Sequence, residues 1–155
     1  NSGAVQGYRY NARVLAKHLA EMHFRKSPPR PRMHADQLVD FLLAEASRGP
    51  ELWHQRSYLA RVVNMDPKHG ITDEGFLPLA HFVDSKGPDA VAITLESNGR
   101  DDPYPAVYIR RHDAVTEPQL MPPHPLLDFE GADYHKQLSA ALGGLLSPSL
   151  TKSSR

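Results

Sequence analysis

The apolar positions near the start of the chain recur at helical spacing. Tyr8, Ala12, Leu15, Leu19 and Met22 form one stripe, with Arg9, Arg13, Lys17 and Glu21 mostly off it, which predicts an amphipathic helix over 8–24. Ser27-Pro28-Pro29-Arg30-Pro31 ends that helix, because proline removes a donor and restrains the residue before it. A second helix is expected over 36–47, with Asp36 as N-cap and Leu38, Phe41 and Leu42 on one face. Gly49 stops it, and Pro50 suits the first turn of a third helix, 50–62, carrying Leu52, Trp53, Leu59 and Val62.

Residues 64–75 read as loop, after which the period changes to two. Leu77, Leu79, His81 and Val83 alternate with Pro78, Ala80, Phe82 and Asp84. Beyond a turn-forming 85–89, Val91, Ile93 and Leu95 alternate with Ala92, Thr94 and Glu96. This predicts a hairpin, 77–84 against 90–97, with a further strand at 105–111. A closing helix over 133–146 carries Tyr134, Leu138, Leu142 and Leu145 on one stripe, weakened by Gly143-Gly144.

The fold class is therefore α+β: N-terminal helices, a small antiparallel sheet and a C-terminal helix. The expected core is Leu15, Leu19, Leu38, Leu42, Leu59, Val83, Val91, Ile93, Leu95, Val107, Ile109, Leu138 and Leu142. The chain divides into a basic helix and Pro-rich linker (1–35), an α+β domain (36–146) and a disordered tail (147–155).

A length of 155 residues suits one core and not two. No apolar run is long enough to span a membrane. The opening Asn1-Ser2-Gly3 lacks a methionine and a signal-like segment, so the chain reads as a processed piece, cytoplasmic or secreted into a host cell. There is no cysteine, which removes disulfides, thiolate metal sites and a thiol nucleophile.

Charge changes the picture more. The 18 basic and 18 acidic residues cancel, yet residues 1–35 hold seven bases and only Glu21 as acid. Such asymmetry points to a segment that meets an anion, with Arg25, Lys26, Arg30 and Arg32 as its binding residues. A phosphorylated small molecule or nucleic acid would suit it as ligand or cofactor, and so would the acidic body of the same fold. The stretch 25–31 also fits R-x-x-P-x-x-P, the form of a polyproline-II ligand, or a plain linker.

The chemistry is mostly negative. The chain has no G-x-x-x-x-G-K-[ST] phosphate loop, no G-x-G-x-x-G, no G-x-S-x-G elbow and no H-E-x-x-H. Nine histidines lack metal-ligand spacing, so no metal is expected. His81 and Glu96 sit on the two arms of the expected hairpin, where a carboxylate could orient an imidazole as general base. Strand parity places them on opposite faces unless a bulge or register shift intervenes. The blander alternative is a core-lining histidine and an exposed strand-end glutamate. No nucleophile stands out beyond Ser85 or a water.

Three segments together resemble the YopJ-like type III effectors, acetyltransferases related to cysteine proteases. Arg61-Val62-Val63-Asn64-Met65 is similar to the stretch before that family's catalytic histidine. His81-Phe82-Val83-Asp84 with Ile93-Thr94-Leu95-Glu96 resembles its histidine-to-glutamate hairpin, with a shorter spacing, and Pro105–Arg110 its following strand. The resemblance implies a secreted effector, acetyl-CoA chemistry in active relatives and an inositol polyphosphate activator. The nucleophilic cysteine would fall at or near His135, and without a thiolate the acyl-enzyme route is closed. The expected function is that of an effector-like module that binds a host protein. The alternative is an acyl- or phosphoryl-transferring enzyme using His81 and Glu96.

Overall fold

The computed structural model describes residues 5–67, 69–97, 99 and 102–146, so the tail expected over 147–155 lies outside the described residues. Helix α1 (Val5–Phe24) leads through an extended segment into a short strand, β1 (Arg32–Met33). A 3-10 turn at Ala35–Gln37 opens α2 (Leu38–Arg48), and α3 (Pro50–His54) follows at once. Next come β2 (Leu59–Asp66), β3 (Gly70–Pro78), α4 (Leu79–Asp84), β4 (Ala90–Glu96) and β5 (Tyr104–Arg111). Two short strands, β6 (Ala114–Val115) and β7 (Gln119–Leu120), precede α5 (Ala132–Leu142).

The class is α+β, and the sheet is larger than its sequence pattern suggests. Among the described residues it has seven strands, all paired antiparallel, in the order β1-β3-β2-β4-β5-β6 with β7 also on β5. On one face α2 and α5 bury Leu38, Leu42, Leu138 and Leu142 against Val63, Val91, Ile93 and Val107. On the other, α4 lays Leu79 and Phe82 on Ala60, Val62, Ala90 and Ala92.

This two-sided cover explains two departures from the sequence pattern. A central strand buried on both faces shows no alternation, so β2 reads as the continuation of a helix. The third helix accordingly ends at His54 instead of 62, and the expected loop at 64–75 is the end of β2, the turn and most of β3 in a β2–β3 hairpin. The expected hairpin of 77–84 with 90–97 does not form. Its first arm is mostly α4, whose buried Leu79 and Phe82 have i,i+3 spacing, and β4 pairs instead with β2 and β5. Val83 consequently lies 40% exposed and outside the core.

The second helix starts later than expected. Asp36 sits inside the 3-10 turn, where the Gln37 side chain accepts from the His34 backbone N–H at 3.1 Å. At the far end Gly49 behaves as anticipated: its N–H reaches the Glu45 carbonyl at 2.8 Å, and a Cβ there would stand 2.4 Å from that oxygen.

One polar cluster ties the elements together. The Arg61 guanidinium from β2 holds both oxygens of Asp73 on β3, with Nε to Oδ1 at 3.0 Å, and lies 3.5 Å from Glu45 of α2. It is stacked between the rings of Phe41 and Phe76 at 5.2 and 4.7 Å. Asp73 Oδ1 also accepts from the Gly75 N–H at 2.8 Å. That bond fixes a bulge, since the β2–β3 register skips Glu74, and Gly75 takes φ 82°, a region open to glycine. A second arginine, Arg110, is 5% exposed. It donates to the carbonyls of Pro88 and Ser85 at 3.0 and 3.3 Å, so it pins the segment between α4 and β4.

Two outcomes follow from the Arg61 cluster. Asp73→Ala strands a partly buried cation and should destabilise the fold by about 3 kcal/mol in denaturant titrations. Glu45 differs in sign. Burial raises its carboxyl above the ordinary 4.5, against the pull of Arg61. The folded chain thus holds that proton more tightly than the unfolded one. This group's contribution to stability is full below the unfolded value and is lost as pH rises through the folded one. Glu45→Gln should therefore gain on the parent in urea midpoint as pH rises from about 4 to about 7, and a pH-independent gap would contradict the assignment.

Candidate functional site

Helix α1 ends at the expected Phe24 but begins at Val5 instead of 8, and it does not face the expected way. Its stripe faces outward: Tyr8 is 62%, Leu15 57%, Leu19 41% and Met22 60% exposed, so Leu15 and Leu19 do not belong to the core. The helix docks through a different face. Tyr10 is buried and stacked on His54 at 5.5 Å, and Asn11 Nδ2 donates to Gln55 Oε1 at 3.2 Å. Lys17 Nζ donates to the Glu74 carbonyl at 2.5 Å, at the bulge. Hydrophobic spacing reveals an amphipathic face and says nothing of what covers it. A single buried aromatic with polar neighbours gives no periodic signal at all.

Between α1 and the β3–α4 corner this docking leaves a groove of about 580 Å³. Tyr8 and Leu15 line it from the helix, and Tyr58, Phe76, Leu77 and Pro78 from the body. His18 and His81 flank it from α1 and α4. Glu21 and Glu74 also line it, and both pair with Arg30, at 3.3 and 2.7 Å. Asn11 Oδ1, on the helix wall, is buried and accepts no hydrogen bond among the described residues. The volume falls within the range of ordinary ligand sites, and the lining is apolar with a few polar groups.

The four basic candidates divide. Arg30 is consumed by the fold's own acids, whereas Arg25, Lys26 and Arg32 are exposed and make no ion pair among the described residues. Pro31 carries its carbonyl to the Asp73 N–H at 2.9 Å, so the Pro-rich segment is strapped to the sheet.

His81 and Glu96 share one side of the sheet, since β4 alternates and Ala90 and Ala92 already pack under α4. No hydrogen bond or ion pair joins them among the described residues. His81 is an exposed helical residue at the groove and not a core-lining one. Glu96 instead accepts from Ser57 Oγ at 2.6 Å and from the Tyr108 hydroxyl at 3.2 Å. Burial, then the charge and hydrogen bond of Glu96, pushes the Tyr108 phenol up to about 12, so it remains a donor. His135 lies apart, on the α2–α5 side, with Nε2 3.1 Å from Asp40. Ser85 touches Arg110 through its carbonyl and hydroxyl. Among the described residues no group of three or more His, Asp or Glu is placed to hold a metal ion. No helix among them is long and apolar enough to cross a membrane.

The division of the basic residues has a direct check. Arg30→Ala should lower the thermal midpoint by about 2–4 °C, the size of a partly exposed double ion pair in a chain this long. Replacing Arg25, Lys26 and Arg32 together with alanine should leave the midpoint within about 1 °C. Equal losses in the two variants would mean that all four bases serve the fold.

No protein-family model matches this chain, and no curated protein or solved structure matches it either.

Proposed function

We propose that the protein is a binding module whose docking surface is the α1 groove, and that its occupant is part of another protein. The observation behind this is the outward apolar stripe of α1. Tyr8, Leu15, Leu19 and Met22 are all large, more than two-fifths exposed and in one line, and the first two also line the groove. Scattered single apolar residues on a surface are ordinary, but an ordered stripe against a concave apolar wall is a mark of partner sites. The concavity matters. A flat surface meets the crest of α1 but not Phe76 and Leu77 below it. The acyl- or phosphoryl-transfer alternative has weaker geometric support, because both Glu96 oxygens are engaged by Ser57 and Tyr108.

Site-specific photocrosslinking tests the proposal. A benzophenone side chain placed at Leu15 or at Met22 should capture one discrete protein from extract. The same probe at Leu126, an isolated apolar residue 83% exposed, should not. Leu19→Asp in the probe-bearing chain should abolish the adduct while the circular dichroism stays unchanged. Equal capture at Leu126, or capture insensitive to Leu19→Asp, would overturn the assignment.

A further inference from the structure

We infer that the occupant of the groove is an acidic amphipathic α-helix. This rests on the groove being the docking surface, and adds the secondary structure and charge of what docks there.

The secondary structure follows from the sheet edge that forms the groove floor. Met65 N–H bonds to the Asp89 carbonyl, so alternate residues of β2 turn their backbone groups toward β4, and Ala60 and Val62 turn theirs toward β3. Their partners are Leu77 and Gly75. Phe76 is left as the residue whose N–H and C=O point outward along the groove. On one side of it the Glu74 carbonyl is already occupied by Lys17, and on the other Pro78 has no N–H. An extended peptide would find one residue to pair with and would bury the rest of its backbone without partners. A helix brings its backbone hydrogen bonds with it. The stripe from Tyr8 to Met22 runs ~21 Å along α1, about four turns, which matches a partner helix of ordinary length.

The charge follows from what remains unpaired. Both acids lining the groove pair with Arg30, and Lys17 also lines it, so its two cations balance its two anions; from the same end of α1 the chain continues into the 25–30 segment. Arg25 and Lys26 directly follow Phe24, Arg32 begins β1, and none of the three has an ion-pair partner among the described residues. A second copy of this chain docking through its own α1 would bring like charge to like charge. An acidic flank on the partner complements all three bases.

The test uses the full chain and three stapled helices of about five turns. They share one leucine stripe and carry glutamate, glutamine or lysine on the polar face. By fluorescence anisotropy at low salt the glutamate helix should bind about ten-fold more tightly than the glutamine helix, with the lysine helix weakest. That gap should close at high salt. Reversing Arg25, Lys26 and Arg32 to glutamate should invert the order, and Leu15→Glu should remove binding of all three helices.

Failure of the two levels is distinguishable. If the glutamine helix binds as well as the glutamate helix at low salt, the acidic partner is wrong and the groove stands. Tighter binding of an unstapled, proline-interrupted acidic peptide would overturn the helix. If no helix binds, or Leu15→Glu changes nothing, the groove itself is wrong. Stripe-dependent sedimentation with phosphatidylserine vesicles, or stripe-dependent dimers at sedimentation equilibrium, in the absence of helix binding would replace the inference with a lipid surface or a second copy.

Discussion

Much of the molecule hangs on how one arginine is satisfied. Arg61 sits in the middle of a sheet covered on both sides, where a lone cation would be costly, and it is held by Asp73, Glu45 and two aromatic faces. Because the same Asp73 oxygen that accepts from Arg61 Nε also accepts from Gly75, the ion pair sets the bulge. The bulge in turn displaces Glu74 from the ladder. Its carbonyl then meets Lys17 and its carboxylate meets Arg30. The position of α1, and hence the groove, is inherited from a charge buried elsewhere in the fold.

The uneven charge of the chain resolves along the same line. Arg13 lies 3.9 Å from Glu51, Lys17 binds a carbonyl, Arg9 stacks on Tyr10 and Arg30 joins two glutamates. Three of the seven bases in the first 35 residues, Arg13, Lys17 and Arg30, thus attach the segment to the body of its own fold. What is left over is local, at the end of α1 and the start of β1.

Sequence pattern reaches the core better than it reaches the site. Leu38, Leu42, Val91, Ile93, Leu95, Val107, Ile109, Leu138 and Leu142 are all buried as their spacing implies, because each lies on an element whose apolar face meets the core; Leu59 is buried too, but on a strand where its spacing implies a helix. The same periodicity places Leu15 and Leu19 inside, although nothing in a stripe specifies the surface that will cover it. At Leu79–Asp84 a six-residue helix is too short for its period to be told from a strand. The groove could not be read at all. It depends on a bulge at Glu74 and on Tyr10, Asn11 and Gln55 meeting across sequence distance, and none of these leaves a local signature.

The attachment of α1 by polar contacts and one tyrosine has a consequence for the life of the molecule in solution. Segments held by few apolar contacts open at lower free energy than the core does. When α1 lifts, Lys17 leaves the Glu74 carbonyl, and the outer edge of β3 loses its cover beyond the two residues that pair with β1. The helix that forms one wall of the groove is therefore also the cover of Phe76 and Leu77, and a ligand that binds only the closed form makes that opening rarer.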